Sequence, residues 1–233
     1  MKSFPTWYYD ELKQTGIDYS KIEEAQTYDL NMRQIRNISE EIKKVKASLK
    51  INERDSLLEI GTGTGEFAIG ISKYCGIVYA IDTSLAMLKI AINKAKSHKL
   101  DNINFLHGGF LTYCHQGEPI NVVISQFALH HLPDLWKYIA LKRIYDLLDK
   151  EGKLYLQDIV FPSINDYFSF FDNIIEKIKT ISGEKIAEEV RIHIKEEYST
   201  FDWVMENLLK KAGFNIVKAD YFNDFLAVYI CTK

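Results

Sequence analysis

Short apolar runs alternate with amphipathic helical patterns between residues 56 and 160, and this order constrains the fold most. The runs at 56–60, 77–82, 103–108, 120–125 and 152–160 are predicted strands. Helical patterns lie in "EFAIGISKYC", "LAMLKIAINKAKS" (behind Thr83 or Ser84 as N-cap) and "LWKYIALKRIYDLLD". Apolar strands that alternate with helices form a mostly parallel sheet covered on both faces. We predict an α/β, doubly wound sheet with its ligand crevice at the carboxyl ends of the strands.

Helical patterns also flank this core. Residues 1–50 are predicted to form an N-terminal helical cap, with a capping box at Ser20 and Glu23. Its apolar stripe runs through Ile35, Ile38, Ile42, Val45 and Leu49. Residues 51–233 are the main domain, in which a helical insertion at about 163–197 is expected to act as a lid.

The C-terminal part predicts one more helix and a closing hairpin. Ser199 and Asp202 predict a capping box at the start of "FDWVMENLLKKAGF", and Gly213 predicts its end. The two late strands lie in "FNIVKAD" and "FLAVYICT".

Composition narrows the class of partner. The net charge is −3, so no basic balance indicates nucleic acid as the main partner. No apolar run approaches the roughly 18 to 20 residues of a membrane span, and the start lacks the apolar core of a signal peptide. Cys75, Cys114 and Cys231 show no CxxC spacing, which is typical of reduced thiols in a cytoplasmic protein.

The segment "LLEIGTGTGEFAI" places Gly61, Gly63 and Gly65 between the first strand and the first helix. Glycines there allow a sharp turn and a close approach to a ligand, and the helix N-terminus offers unpaired N–H groups. Asp82 ends the second strand, where a carboxylate can accept both hydroxyls of a ribose. The G-x-G-x-G spacing differs from that of dinucleotide binders. Glu59, just before the loop, would repel a pyrophosphate but suits a cationic ligand.

Five segments carry a family resemblance in the correct order: "LLEIGTGTGEFAI", "YAIDTSLAMLKIA", "FALHHLPD", "LLDKEGKLYLQDIVF" and "LLKKAGFNIV". From about Tyr28 to the C-terminus the chain resembles the class I S-adenosylmethionine-dependent methyltransferases, of the small-molecule, type 11/25-like kind. The resemblance implies a Rossmann-like, seven-stranded sheet in the order 3-2-1-4-5-7-6, with strand 7 antiparallel. It also implies S-adenosyl-L-methionine as cofactor and S-adenosyl-L-homocysteine as product.

The resemblance implies roles for particular positions. The glycine loop with Glu59 would hold the methionine part of the cofactor, and Asp82 would bind the ribose. Gly109 stands where the family often has an acidic residue near the adenine amino group, so Phe110 or backbone groups must serve there. The implied cofactor-binding residues are Tyr28, Glu59, Gly61, Thr62, Gly63, Gly65, Asp82, Thr83, Met87, Gly109, Phe110, Ser125 and Gln126. Arg33 is a further candidate on the helix that closes over the cofactor.

Catalytic candidates follow the fourth and fifth strands. Methyl transfer by in-line displacement needs alignment and exclusion of water, and a base only helps when the acceptor carries a proton. His130, His131 and Asp158 are the candidates for a base or for positioning the acceptor, beside the pocket tyrosines Tyr8, Tyr9 and Tyr19, and His130 and Asp158 are the favoured catalytic residues. The alternative role for Asp158 is to cap a loop, and the alternative role for Tyr28 is packing.

The two adjacent histidines of "SQFALHHLPD" are not predicted to share one task. We expect His130 near the acceptor and His131 in a structural role, because neighbours on a short turn point in different directions. No metal site is predicted, because the remaining histidines, His98, His107, His115 and His193, are scattered along the sequence.

The favoured function is methyl transfer to a small-molecule acceptor, and other classes stay open. An RNA or protein methyltransferase, a dinucleotide-dependent oxidoreductase and a non-catalytic S-adenosylmethionine-binding protein are the alternatives. "SQFA" replaces the N-P-P-Y-type motif of nucleic-acid N-methyltransferases, and the glycine spacing argues against the oxidoreductase. The acceptor, the methylated atom and the oligomeric state are not readable, because one fold hosts many functions.

Overall fold

The structure is a computed structural model that describes residues 4–13 and 15–233, and most of its strands from residue 56 onward are joined by helices. The helices are α1 (Ile22–Met32), α2 (Ile38–Leu49), α3 (Glu66–Ile71), α4 (Leu85–Ser97), α5 (Asp134–Leu147), α6 (Tyr167–Ser182), α7 (Glu184–Glu196) and α8 (Asp202–Ala212). The strands are β1 (Ser56–Ile60), β2 (Ile77–Asp82), β3 (Ile103–His107), β4 (Ile120–Gln126), β5 (Leu148–Phe161), β6 (Thr200–Phe201), β7 (Asn215–Phe222) and β8 (Leu226–Thr232).

The sheet has the order β3-β2-β1-β4-β5-β8-β7. Strands β1 to β5 pair in parallel, and β8 runs antiparallel to both of its neighbours. The two-residue β6 pairs with β5 alone, so β7 and β8 are the predicted sixth and seventh strands. The predicted order and the antiparallel last strand are therefore confirmed, and β6 is an addition that its length hid from sequence patterns.

Helices cover both faces of this sheet. Adjacent residues of β1 point to opposite faces, so Leu57 packs under α2 and α3 while Leu58 packs under α5 and α8. This explains why the central strands are apolar at successive positions. Complete burial of one such leucine stabilises the fold by roughly 1.5–3 kcal/mol.

The N-terminal part is less helical than its pattern indicates. Residues 4–13 and 15–20 form turns and bends, and α1 starts after Lys21 without a side-chain cap. The predicted box at Ser20 and Glu23 is wrong, because the Ser20 hydroxyl donates to Asp18 Oδ1 at 2.5 Å. Residues 1–3 and Gln14 of the predicted cap lie outside the described residues.

The predicted apolar stripe is real in α2 but does not reach Ile35. Ile42, Val45 and Leu49 are buried, while Ile35 precedes the helix and is exposed. Asn37 caps α2 by accepting from the backbone N–H of Glu40 at 3.2 Å. The stripe therefore describes a helix that starts one turn later than the pattern suggests.

The insertion consists of α6 and α7, joined at Gly183. After it, the predicted capping box at Ser199 and Asp202 is wrong, because the Ser199 hydroxyl bonds His193 Nε2 at 2.7 Å. Gly213 ends α8 with φ +113°, as predicted. None of the described helices combines the length and the apolar character needed to cross a membrane.

Candidate functional site

The glycine loop and Asp82 meet at the carboxyl edge of β1 and β2. Gly63 N donates to Asp82 Oδ2 and Ser84 N donates to Asp82 Oδ1, both at 2.7 Å. Gly63 has φ +55°, a left-handed conformation that a side chain would strain. Burial raises the pKa of the Asp82 carboxyl, and the two backbone donors oppose that rise. Each oxygen keeps a further lone pair for a ligand.

One cavity lies between this loop, the end of β4 and the N-terminal segment. Its empty space is about 810 Å³, with the opening to solvent included. Nine of the thirteen predicted cofactor-binding residues line it: Tyr28, Gly61, Gly63, Asp82, Thr83, Met87, Gly109, Phe110 and Gln126. The sequence thus predicted most of the wall that the sheet edge supplies.

The other four predicted residues lie behind this wall. Thr62 Oγ1 donates to Glu59 Oε2 at 2.7 Å, and burial raises the pKa of Glu59 to about 8. Gly65 caps α3. The Ser125 side chain is buried on the strand face opposite to Gln126. Cofactor-binding roles for these four residues, and for the nine that line the cavity, stay predictions.

The N-terminal segment adds lining residues that the sequence did not indicate: Glu11, Lys13 and Thr15, together with the pocket candidate Tyr19. Glu11 Oε1 accepts from the backbone N–H groups of Leu111 at 2.9 Å and Thr112 at 2.7 Å. A Cβ on Gly109 would lie 2.6 Å from Glu11 Oε2, so only glycine there leaves room for this carboxylate. An acidic group therefore stands beside Gly109 after all, brought from the other end of the chain.

The candidate residues on and near α1 differ in whether they line the cavity. Tyr28 lines the cavity and packs edge-to-face on Tyr19, with ring centroids 5.5 Å apart. Arg33 is mostly exposed and pairs with Glu66, away from the cavity lining. Arg36 is half-buried, and its guanidinium lies 4.8 Å over the ring of Phe127, a lining residue.

Both histidines of the pair lie on one 3-10 turn, Leu129–His131, with their rings 4.4 Å apart. His131 lines the cavity, whereas His130 is buried behind it. This placement is the reverse of the expected one. The cause is Asp158, whose two oxygens bind the backbone N of His130 at 3.0 Å and its Nδ1 at 2.5 Å. The predicted catalytic role of His130 and Asp158 stays a prediction.

His130 belongs to a larger buried cluster. Its Nε2 lies 3.2 Å from Glu197 Oε2, which also binds His193 Nδ1 at 2.5 Å. Burial alone lowers the pKa of His130, but the carboxylates of Asp158 and Glu197 outweigh it and raise that pKa to about 9. The expectation that the histidines are scattered is wrong for His193, whose ring centroid lies 4.8 Å from that of His130.

The pocket tyrosines Tyr8 and Tyr9 support the site from outside the cavity lining. The Tyr8 hydroxyl donates to Leu111 O at 3.3 Å, and the Tyr9 hydroxyl donates to His131 O at 3.4 Å. Both rings pack on Trp136 of α5. They therefore anchor the N-terminal segment over the sheet edge.

The sheet order, the glycine loop and the acidic end of β2 define the class I methyltransferase architecture. The model of a family described as "Methyltransferase domain" matches residues 57–152. These residues run from β1 into β5 and include the glycine loop, Asp82 and both adjacent histidines.

Known proteins agree with this class. An uncharacterized methyltransferase of Oceanobacillus iheyensis is 26% identical over 200 residues, which cover 86% of this chain and 87% of that protein. A SAM-dependent methyltransferase from Aquifex aeolicus has a similar fold, with TM-score 0.64, 20% identity, and coverage of 93% of this chain and 98% of that one. Magnesium protoporphyrin IX methyltransferase from Synechocystis PCC 6803, with bound SAH, gives TM-score 0.60, 15% identity, and coverage of 96% and 91%. The chain therefore has the fold of the class I S-adenosylmethionine-dependent methyltransferases, and its residues 57–152 match a methyltransferase domain.

The chemistry of the lining fits this cofactor. Asp82 and Glu11 offer carboxylate oxygens, and Gln126 Oε1 is a buried acceptor without a hydrogen-bond partner among the described residues. Ribose hydroxyls, an adenine amino group and a cationic amino-acid end present donors to such acceptors. A pyrophosphate in this cavity would instead meet the carboxylates of Asp82 and Glu11, whereas Glu59, on which the sequence argument relied, lies behind the wall.

Proposed function

We propose that this enzyme transfers the methyl group to a small-molecule acceptor by in-line displacement. The observation that carries the proposal is the N-terminal segment, which supplies Glu11, Lys13, Thr15 and Tyr19 to the cavity wall. Because this segment lies along one side of the cavity, an acceptor would have to enter past it to lie beside the cofactor. That arrangement favours a small molecule over an RNA or protein surface and helps to exclude water.

The cofactor-binding roles follow from the donor and acceptor pattern. Asp82 accepts the ribose hydroxyls, while its bonds to Gly63 N and Ser84 N keep the carboxylate in place. Gln126 Oε1 accepts from the amino group of the methionine part, because Gln126 lines the cavity and this buried oxygen has no hydrogen-bond partner among the described residues. When bound, the cofactor supplies a methyl group already activated on a sulfonium, so this chain has to bind, orient and keep water out.

Glu11 recognises the adenine amino group in our proposal. Its Oε1 is occupied by backbone donors, and its Oε2 faces the space above Gly109. The resemblance places an acidic residue of many relatives at position 109, and here glycine makes room for a carboxylate from the N-terminal segment. The same chemical group is thus supplied from a different part of the chain.

The acceptor side is assigned to the lining residues beyond the end of β4. Phe127, Ala128, His131 and Leu132 line the cavity there. Asp158 and His130 act as positioning residues, because they stand behind His131 and fix its turn through the bonds to Asp158. The predicted cytoplasmic location belongs to this proposal too, and its support is that Cys75, Cys114 and Cys231 are all free thiols.

A screen of small-molecule acceptors that measures S-adenosylhomocysteine release tests the proposal. We expect turnover with at least one class of oxygen, nitrogen, sulfur or carbon nucleophile that fits the cavity. Cofactor binding without turnover of small acceptors, together with methylation of an RNA or a protein, would contradict it.

A further inference from the structure

A mixed cluster of imidazole and carboxylate groups lies beside the cavity, and methyl transfer itself does not require it. His130, His131 and Glu197 each offer one ligand atom, and these atoms all lie within 4.8 Å of one another. The histidines come from the turn after β4, and Glu197 follows α7 of the insertion. The fold therefore joins donors that are far apart in the sequence.

Asp158 fixes the orientation that a metal ligand needs. It accepts from His130 Nδ1 at 2.5 Å, which leaves Nε2 to face Glu197 Oε2 at 3.2 Å. A carboxylate that accepts from one ring nitrogen while the other faces an ion is the usual support of histidine ligands in proteins. His193 Nδ1 lies 2.5 Å from Glu197 Oε2, and this contact fixes the position of the Glu197 carboxylate.

We propose that His130, His131 and Glu197 bind one divalent first-row transition-metal ion at the cavity wall. Two imidazoles and one carboxylate suit ions such as Zn²⁺, Fe²⁺ or Mn²⁺, whereas Mg²⁺ and Ca²⁺ prefer oxygen ligands alone. Ligand atoms about 2.1 Å from a tetrahedral ion lie about 3.4 Å apart. Side-chain shifts on the order of 1 Å would therefore close the cluster around an ion.

The ion would keep an open side towards the cavity. His131 lines the cavity, while His130 and Glu197 lie behind it. Three protein ligands and one open position are the arrangement of metal sites that bind a substrate. An acceptor oxygen, nitrogen or sulfur atom would occupy that position. This use of the ion rests on the function proposed above, whereas binding of the ion does not.

The alternative is that a proton, and not a metal ion, holds the cluster together. In that case a charged His130 between Asp158 and Glu197 links the insertion to the sheet edge, and no ion is needed. The two accounts differ in what metal binding does to the protein, so metal titration separates them.

Titration of the full-length, chelator-treated protein with Co²⁺, followed by visible absorption, and with Zn²⁺, followed by calorimetry, tests the site. We expect one ion per chain, with a Kd below about 1 µM for Zn²⁺. His131→Ala and Glu197→Gln should each weaken binding at least about 100-fold, and Asp158→Asn about 10- to 100-fold. His98→Ala is the matched control, because His98 is exposed and bonds only its own helix.

Circular dichroism of each variant shows whether it is folded, and His131 is the safest test position because it is only half-buried. Absence of binding to the wild-type protein would overturn the proposal, as would wild-type affinity in both His131→Ala and Glu197→Gln. Ion binding without methyl transfer to small molecules would leave this site standing and count against the proposed function alone.

Discussion

Asp82 holds the glycine loop and faces the cavity at the same time. Burial raises the pKa of the Asp82 carboxyl, and hydrogen-bond donors on a bound ligand would oppose that rise. Asp82 should therefore contribute strongly to cofactor binding. Hydrogen bonds to charged groups contribute about 1.5–3 kcal/mol each. Single substitutions of residues with two such roles give the most information about the site.

Asp82→Ala should weaken S-adenosylhomocysteine binding at least about 100-fold, because two ribose bonds are lost and 1.4 kcal/mol is about tenfold in affinity. Calorimetry measures the effect, with Asp101→Ala as control, since Asp101 is exposed. Unchanged affinity in Asp82→Ala would contradict the ribose assignment.

Glu11→Gln should change which base the cavity prefers. The amide oxygen can still accept from Leu111 N and Thr112 N, while its NH₂ now faces the ligand. We expect adenosyl affinity to fall about 10-fold or more and inosyl affinity to rise, because the 6-oxo group of hypoxanthine accepts a hydrogen bond. Binding of S-adenosyl- and S-inosylhomocysteine measures this, and exposed Glu118→Gln is the control. The same preference in Glu11→Gln and wild type would remove Glu11 from base recognition.

Glu59 should make folding stability depend on pH. Burial raises its pKa from the ordinary 4.5 to about 8, so the folded state binds the proton more tightly than the unfolded state. This contribution is fully present below about pH 4.5 and is lost as pH rises through about 8, by a few kcal/mol, since one pKa unit is about 1.4 kcal/mol.

Urea unfolding across that pH range measures the contribution of Glu59. Glu59→Gln should flatten the profile, whereas Glu53→Gln, at an exposed position, should leave it as in the wild type. Parallel profiles for Glu59→Gln and the wild type would show that Glu59 does not carry this proton.

At the scale of elements, the strands and most helices could be predicted because their apolar periods are local. The two predicted capping boxes are wrong because each serine hydroxyl has another hydrogen-bond partner. Ser20 bonds Asp18, and Ser199 bonds His193. The approach of Glu11 to Gly109 could not be predicted, because it joins residues almost a hundred positions apart and has no short-range pattern.

The N-terminal segment should depend on Trp136 for its place over the cavity. Tyr8 and Tyr9 pack on this ring, with centroids 5.0 and 5.9 Å away. Trp136→Ala should therefore speed proteolysis within the segment and lower cofactor affinity about tenfold, since aromatic pairs contribute about 0.5–1.5 kcal/mol each. Trp203→Ala, on the exposed side of α8, is the control. Equal proteolysis rates for both variants would show that the segment is held by other contacts.

At the scale of the whole molecule, the sheet brings the glycine loop, Asp82 and the end of β4 to one edge, as the alternating pattern predicted. The elements that cover this edge of the sheet decide which ligands can enter the cavity. The geometry of these covering elements could not be predicted from the sequence, because it depends on contacts between distant residues. This holds for the N-terminal turns and for Glu197, which joins α7 to the turn that carries His130. The histidine pair shows this most clearly, since the long-range bond from Asp158 reverses the expected orientation.

We propose that this enzyme methylates a small molecule in the cavity that its own N-terminal segment lines. The most direct measurement incubates the enzyme and methyl-labelled S-adenosylmethionine with a cell extract that has been separated into small-molecule, RNA and protein fractions. We expect enzyme-dependent label in the small-molecule fraction, and its loss with Asp82→Ala. Label confined to the RNA or protein fraction would contradict the claim.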